Sequence, residues 1–226
     1  RGAAAGHVTI EAPRARGARP RYQSALEPLS EVRVTLYGRQ GAELLRLGEA
    51  ELLHSAFRAG TRSLDAALFL SGCAELLDAF SPEGEAEDRV YRLAIALVRA
   101  AEEGASPELL ARYLEAWLLR LHGLYPPLDR CAACAGALPS AGGLAYHRPA
   151  HGFVCEGCSP ASGPDLPAES RRMLASFFSR PPEALAPEAG AGARALESLH
   201  RDLIAAHLER DLRAPRVIRE MREAAR

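Results

Sequence analysis

The chain of 226 residues reads as an α+β protein, with strands first, helices after, and a four-cysteine hairpin set among the helices. Three observations predict this. Up to about residue 53 apolar residues recur with period 2, the mark of half-buried strands. From residue 61 the period changes to 3.6, the mark of amphipathic helices. Four of the five cysteines fall in two C-x-x-C pairs, Cys131/Cys134 and Cys155/Cys158, separated by twenty residues.

The strands come first. Residues 7–12 set Val8, Ile10 and Ala12 against Thr9 and Glu11, and residues 31–37 set Val32, Val34 and Leu36 against Arg33 and Thr35. Residues 38–41, Gly-Arg-Gln-Gly, supply turn chemistry, and residues 42–47 return as the hairpin partner. Between the first two strands, residues 13–22 read as a basic loop broken by Gly17 and Pro20. Three strands alone leave sheet edges open.

The helices follow. Ser63 caps a helix with the stripe Leu64, Leu68, Phe69, Cys73, Leu76, Leu77 and Phe80, and a second presents Val90, Leu93, Ala94, Leu97, Val98 and Ala101. The third starts at Ser106 as cap, with Pro107 in the first turn and Glu108 beside the positive helix end. It carries Leu110, Tyr113, Leu114, Trp117, Leu118 and Leu121, and Gly123 stops it. Residues 168–179 make a short helix with Met173, Leu174, Phe177 and Phe178; residues 181–192 read as a linker; a last helix spans about 194–213. The faces of the first three of these helices are expected to pack as one core, at about 25 cal/mol per Å² buried.

The cysteine spacing is that of a four-thiolate zinc site. Two thiolates on one tight turn take two corners of a tetrahedron, and a second turn brought back by a hairpin takes the others. Gly136 and Gly157 lie where such turns need permissive backbone, and residues 144–146 and 152–154 read as the ribbon strands between them. Four thiolates fill the coordination shell, which makes one structural Zn2+ the expected cofactor, with no open position for catalysis. The competing readings are a pair of disulfides, a redox C-x-x-C, or replacement of one cysteine by His147 or His151. Cys73, on a helical stripe, reads as a small core residue.

Composition narrows function further. The net charge is −1, but residues 1–24 hold five Arg against one Glu, and residues 194–226 hold eight Arg against six acids. There is no Lys, so neither a Schiff-base nor a P-loop lysine exists. G-x-G-x-x-G, G-x-S-x-G and H-E-x-x-H are also missing, and the chain is expected not to be an enzyme. No apolar run reaches the roughly 18 residues of a membrane span, and the chain opens on Arg1 without a signal-peptide pattern. Paired rather than scattered cysteines suit a reducing compartment, so a cytoplasmic protein is expected. His200 and His207, on one face of the last helix, are expected to be solvated or semi-buried structural residues.

Several stretches together resemble the RecO recombination-mediator family. They are Arg16-Gly-Ala-Arg-Pro-Arg-Tyr-Gln-Ser24-Ala-Leu-Glu-Pro28, the hairpin Val32 to Leu47 followed by Gly48-Glu-Ala-Glu-Leu-Leu53, and the helix Leu110 to Gly123 leading into Leu128-Asp-Arg-Cys131-Ala-Ala-Cys134. The resemblance implies an OB-fold barrel over residues 1–58, here incomplete because the family's first strand or strands precede anything in this sequence. It also implies a helical domain over 59–128 and 161–226, and a zinc ribbon inserted at 129–160. The implied function is bacterial and nucleoid-associated: binding single- and double-stranded DNA, annealing strands, and loading RecA with RecR onto DNA coated by single-stranded-DNA-binding protein. A loop bearing Arg14, Arg16, Arg19 and Arg21 suits phosphate neutralisation, and Tyr22 could stack a base. The acidic tail of single-stranded-DNA-binding protein is expected on the helical domain near Arg112, Trp117, Arg120, Arg201 and Arg210. Two other classes stay open, a zinc-ribbon interaction scaffold without DNA contact and a thiol oxidoreductase.

Overall fold

A computed structural model describes residues 9–12, 22–38, 44–81, 87–158, 165–185 and 190–208. Arg14, Arg16, Arg19, Arg21 and Arg210 lie outside these residues. The chain divides into two compact units that part between Gly104 and Ala105.

In the first unit, β1 (Thr9–Glu11), β2 (Glu31–Tyr37) and β3 (Leu44–His54) form a sheet of order β1–β3–β2. β1 runs parallel to β3, and β2 runs antiparallel to it. No closed barrel occurs among the described residues. β3 runs seven residues beyond the expected hairpin partner, for a physical reason. Leu36 faces Leu47 but Thr35 faces Glu49, so Gly48 is an extra, bulged residue that reverses the alternation. After it Ala50 and Leu52, rather than odd-numbered residues, oppose Val34 and Val32. The Tyr37 ring lies where a side chain at 48 would stand: a Cβ there would clash with Tyr37 Cε2.

α1 (Phe57–Gly60), α2 (Leu64–Phe80) and α3 (Asp88–Glu103) complete this unit. Ser63 Oγ accepts the Ala66 N–H at 3.1 Å, the expected cap. Phe69, Cys73, Leu76 and Phe80 are buried as the stripe requires, whereas Leu64, at the first position of the helix, is 62% exposed even though Ala66 in the same turn is buried. Burial raises the Cys73 thiol to about 12, in keeping with an inert core side chain.

The second unit holds α4 (Pro107–Leu121), β4 (Ala145–His147), β5 (Gly152–Val154), α5 (Ala168–Ser179) and α6 (Gly190–His207). The helices therefore fall in two groups, α1–α3 with the sheet and α4–α6 with the cysteine hairpin. Ser106 occupies the cap position of α4 but its side chain makes no capping bond, leaving Pro107 and Glu108 as the start signals. Gly123, at φ +69°, ends α4 as expected, and Leu124 N–H closes onto Leu119 O at 2.7 Å. α6 begins at Gly190, inside the expected linker. Gly192 packs against α5 so closely that a Cβ would meet Glu169 Cγ at 3.2 Å, and Ser170 Oγ donates to Gly192 O at 2.9 Å. No helix among the described residues is long and apolar enough to cross a membrane.

Candidate metal centre

The first knuckle folds on its own backbone. Cys131 N–H donates to Gly136 O at 2.8 Å, and Ala135 N–H donates to Cys131 O at 2.9 Å. The left-handed residue is Ala135 (φ +58°), not the expected Gly136. Gly136 is needed for space instead, since a Cβ there would lie 3.3 Å from Cys134 Sγ. Gly157 has open space around it and no positive φ, so nothing in the structure demands glycine there. The second knuckle is a single tight turn, Glu156–Cys158, in which Cys158 N–H donates to Cys155 O at 2.9 Å.

The β4–β5 hairpin joins the two knuckles. Ala145, Tyr146 and His147 face Val154, Phe153 and Gly152. Phe153, fully buried, accepts the Ala132 N–H on its carbonyl at 2.8 Å, which stitches the returning strand to the first knuckle. The four Sγ atoms then lie within 4.8 Å of one another. Cys134 Sγ and Cys155 Sγ are 3.8 Å apart. A tetrahedron with metal–sulfur bonds of about 2.3 Å has edges of about 3.8 Å, so this pair already sits at the ligand spacing. All four are free thiols. Cys155 N–H points at Cys131 Sγ at 3.4 Å, a bond that favours thiolate.

The thiols are unequal. Cys131, 2% exposed, is pulled down to about 6, first by the Cys155 backbone N–H and then by that of Cys134. Cys158 is pushed up to about 12, mainly by hydrogen bonding with the Cys155 and Cys134 side chains. Sulfurs this close share protons; a divalent cation makes four thiolates compatible. The donor set and spacing thus fit a metal ion. His147 and His151 are not in the cluster. Among the described residues the next α-helix, α5, begins ten residues after Cys158, and neither pair lies at the start of an α-helix as a redox C-x-x-C would.

A second polar cluster lies on the helices. Arg112 Nη2 donates to Glu115 Oε1 at 2.7 Å, Glu115 Oε2 lies 3.1 Å from His200 Nδ1, and His200 Nε2 lies 3.2 Å from Tyr125 Oη. Arg112 Nη1 stands 3.6 Å from Glu197 Oε2. His200 is fully buried, contrary to expectation, and Arg112 and Glu115 are each 8% exposed. Burial lowers the His200 pKa, partly offset by the hydrogen bond and charge of Glu115. Arg112 is therefore spent on internal partners. Nearby, Arg120 lies 4.3 Å from the Phe178 ring centroid and 5.4 Å from that of Trp117, a half-buried aromatic face topped by an exposed cation.

Tyr22, expected to stack a base, has another place. It is 5% exposed and donates its hydroxyl to Leu47 O at 2.8 Å, beside the Gly48 bulge. The ring is inside the sheet's unit, so the base-stacking role is corrected to a packing one. Sequence reasoning also missed Arg171 and Asp165, which hold the hairpin from outside; an Arg in a helix's first turn gives no local sign of such a partner.

An α+β protein with a cluster of four cysteines close enough to hold a metal ion is thus defined by fold and site. Known proteins place it more closely. The family model for the recombination protein O C terminal matches residues 61–216. The chain is 33% identical to a DNA repair protein RecO of Koribacter versatilis over 180 residues, covering 80% of this chain and 72% of the relative. It is 32% identical to that of Geobacter sulfurreducens over 220 residues (92% and 84%), and 31% identical to that of Anaeromyxobacter sp. strain Fw109-5 over 209 residues (92% and 80%). The chain belongs to the RecO family.

Proposed function

We propose that this chain acts in DNA repair as a recombination mediator, a non-catalytic bacterial protein of the cytoplasm and nucleoid. It binds and anneals single-stranded DNA and, with RecR, helps load RecA onto DNA coated by single-stranded-DNA-binding protein. The observation that carries this reading is family membership: relatives named DNA repair protein RecO align with 80–92% of the chain. Affinity comes from phosphate neutralisation by the basic segment Arg14, Arg16, Arg19 and Arg21, and so is sequence-tolerant and salt-dependent. The cysteine cluster holds one structural zinc, because its donor set and 3.8 Å edge suit that ion and leave no position for substrate.

Binding of a fluorescent single-stranded oligonucleotide at two salt concentrations tests the DNA reading. Arg16→Ala with Arg19→Ala should weaken binding for all sequences alike and flatten the salt slope by about one for each phosphate left without its arginine. An unchanged slope, or no binding by the intact chain, would favour an interaction scaffold instead. The acidic partner tail, which ends in aromatic and proline residues, docks on the helices at Trp117, Phe178 and Arg120. Arg112 is excluded by its internal pairing, while Arg201 is exposed and donates to the Ser198 hydroxyl of its own helix. Labelled tail peptide should lose affinity on Arg120→Ala; undiminished affinity would move the site elsewhere.

A further inference from the structure

One side chain outside the cysteine cluster holds both stems of its first knuckle. Arg171, in the first turn of α5, donates through Nη2 to Leu128 O at 3.0 Å and through Nη1 to Pro139 O at 2.6 Å. Between those two carbonyls the loop narrows as a ladder. Leu138 N–H bonds Asp129 O at 2.9 Å, Arg130 pairs with Ala137, and Cys131 N–H bonds Gly136 O. The guanidinium closes the open end of this ladder, whose other end carries Cys131 and Cys134. A planar fork can bridge two carbonyls in this way; an ammonium, as a point charge, lacks that geometry.

Two more contacts bind the hairpin to the start of α5. Leu144 and Leu166 exchange both backbone bonds, at 2.9 and 3.0 Å, and Asp165 Oδ2 accepts the Tyr146 N–H at 2.8 Å. At the far end of α5, Phe177 O accepts the Trp117 indole N–H at 3.0 Å, and the Phe178 ring meets Trp117 edge-on at 5.5 Å. One helix of twelve residues, about 18 Å long, therefore runs from the metal knuckle to the aromatic face.

We infer that Arg171 is a positioning residue that couples metal binding at the cysteine cluster to the placement of α5, and through Trp117 to the aromatic face of α4 and α5. This rests on the reading that the cysteines hold zinc. Coupling is reciprocal: if bound metal steadies α5 through Arg171, losing Arg171 weakens metal binding by the same factor.

The experiment strips zinc from the intact chain with a chelator and restores it. Zinc affinity is read by competition with a chromophoric chelator, the aromatic face by fluorescence of Trp117, the one tryptophan, and α5 by hydrogen exchange of residues 168–179. Zinc removal should shift the Trp117 emission and speed exchange along α5. Arg171→Ala should bind zinc more weakly, as the stems of the first knuckle lose their clamp, and its Trp117 signal should no longer follow zinc. Arg171→Lys should restore only part of the response. A side chain that merely stabilised the fold would lower the melting temperature equally with and without zinc, and that result overturns the inference. So does wild-type chain that binds zinc with Trp117 and α5 unmoved, which leaves the zinc reading intact. Absence of stoichiometric zinc overturns both. If circular dichroism shows Arg171→Ala unfolded, Arg171→Gln, which keeps a donor amide, decides by the same readouts.

Discussion

The cysteine cluster and the Arg112–Glu115–His200–Tyr125 chain are both knots of polar chemistry in the unit of residues 105–211, yet they are held together by opposite means. The first is assembled from two short turns and a hairpin, with Cys131 buried, Cys134 exposed and Cys155 and Cys158 half-buried, beside a small apolar patch of Leu138, Leu144, Phe153, Val154 and Leu166. Its four thiols lie within 4.8 Å of one another, a spacing that a metal ion would bridge. The second draws Glu115 from α4 and His200 from α6, 85 residues apart, into a site with no exposure at the imidazole. Its cohesion comes from the surrounding helices; Glu115 bonds both Arg112 and His200, while Arg112 Nε and Nη1 are buried without a hydrogen bond. A polar cluster of thiols at the surface gains stability from a metal when one binds. One in the interior borrows it from packing.

Breaking the metal site should have the largest local effect. Cys134→Ser should drop zinc below one per chain, and hydrogen exchange should show residues 129–158 losing protection first, since metal binding there is folding free energy, about 10–16 kcal/mol in small zinc modules. The helical signal in circular dichroism should persist, because α4, α5 and α6 have their own buried stripes. Wild-type protection of 129–158 in the variant would show that packing, not metal, holds the hairpin.

Next in size is Glu115→Ala, which strands Arg112 and His200 without their shared carboxylate. Removing one partner of a buried ion pair costs about 3–5 kcal/mol, read as a lower denaturant midpoint with zinc content unchanged. Glu115→Gln, which keeps the shape and one acceptor, should cost less.

The same network predicts a dependence on pH. Burial lowers the His200 pKa against the opposing pull of Glu115, with Tyr125 and Arg112 the other polar groups in contact or close by. The unfolded chain takes up a proton near the ordinary histidine value of about 6.5, while the folded chain resists it. Stability is therefore full above that value and falls as the pH drops through it. Melting temperatures between pH about 7.5 and about 5.5 should decline more steeply for wild type than for His200→Gln, the ordinary histidine range lying between those limits. Equal slopes would remove His200 from the account.

The smallest effect on stability should come from Arg120→Ala, which removes an exposed cation from the Phe178 and Trp117 rings and is worth about 0.5–1 kcal/mol. Its use is as a control: zinc content and the pH slope should be untouched, while binding of an acidic partner peptide should fall.

Much of the metal site was legible in advance, because its signals are local. Two C-x-x-C pairs, and ribbon strands expected at 144–146 and 152–154 against Ala145–His147 and Gly152–Val154 in the structure, are patterns spanning under thirty residues. Ligand geometry constrains such spacing directly. The helices were legible for a similar reason: apolar period, Ser63 and Gly123 sufficed for most starts and stops. β3 was not, because one bulged residue, Gly48, reverses the alternation on which strand reading depends. Tyr22 misled because its composition suits stacking on a base as well as packing under a strand.

The sequence by itself determined which residues can ligate a metal, where the backbone turns, and which helical faces are apolar, since these follow from residue chemistry and periods of two to four positions. Only the tertiary structure decided that Arg112 faces Glu115 and Glu197 rather than solvent, that burial lowers the His200 pKa, and that Arg171 reaches Leu128 O and Pro139 O, 43 and 32 residues away. An arginine or histidine on a helix carries no local mark of its partner. That partner is chosen by how whole helices pack, and the buried charge then takes whichever neighbour can satisfy it.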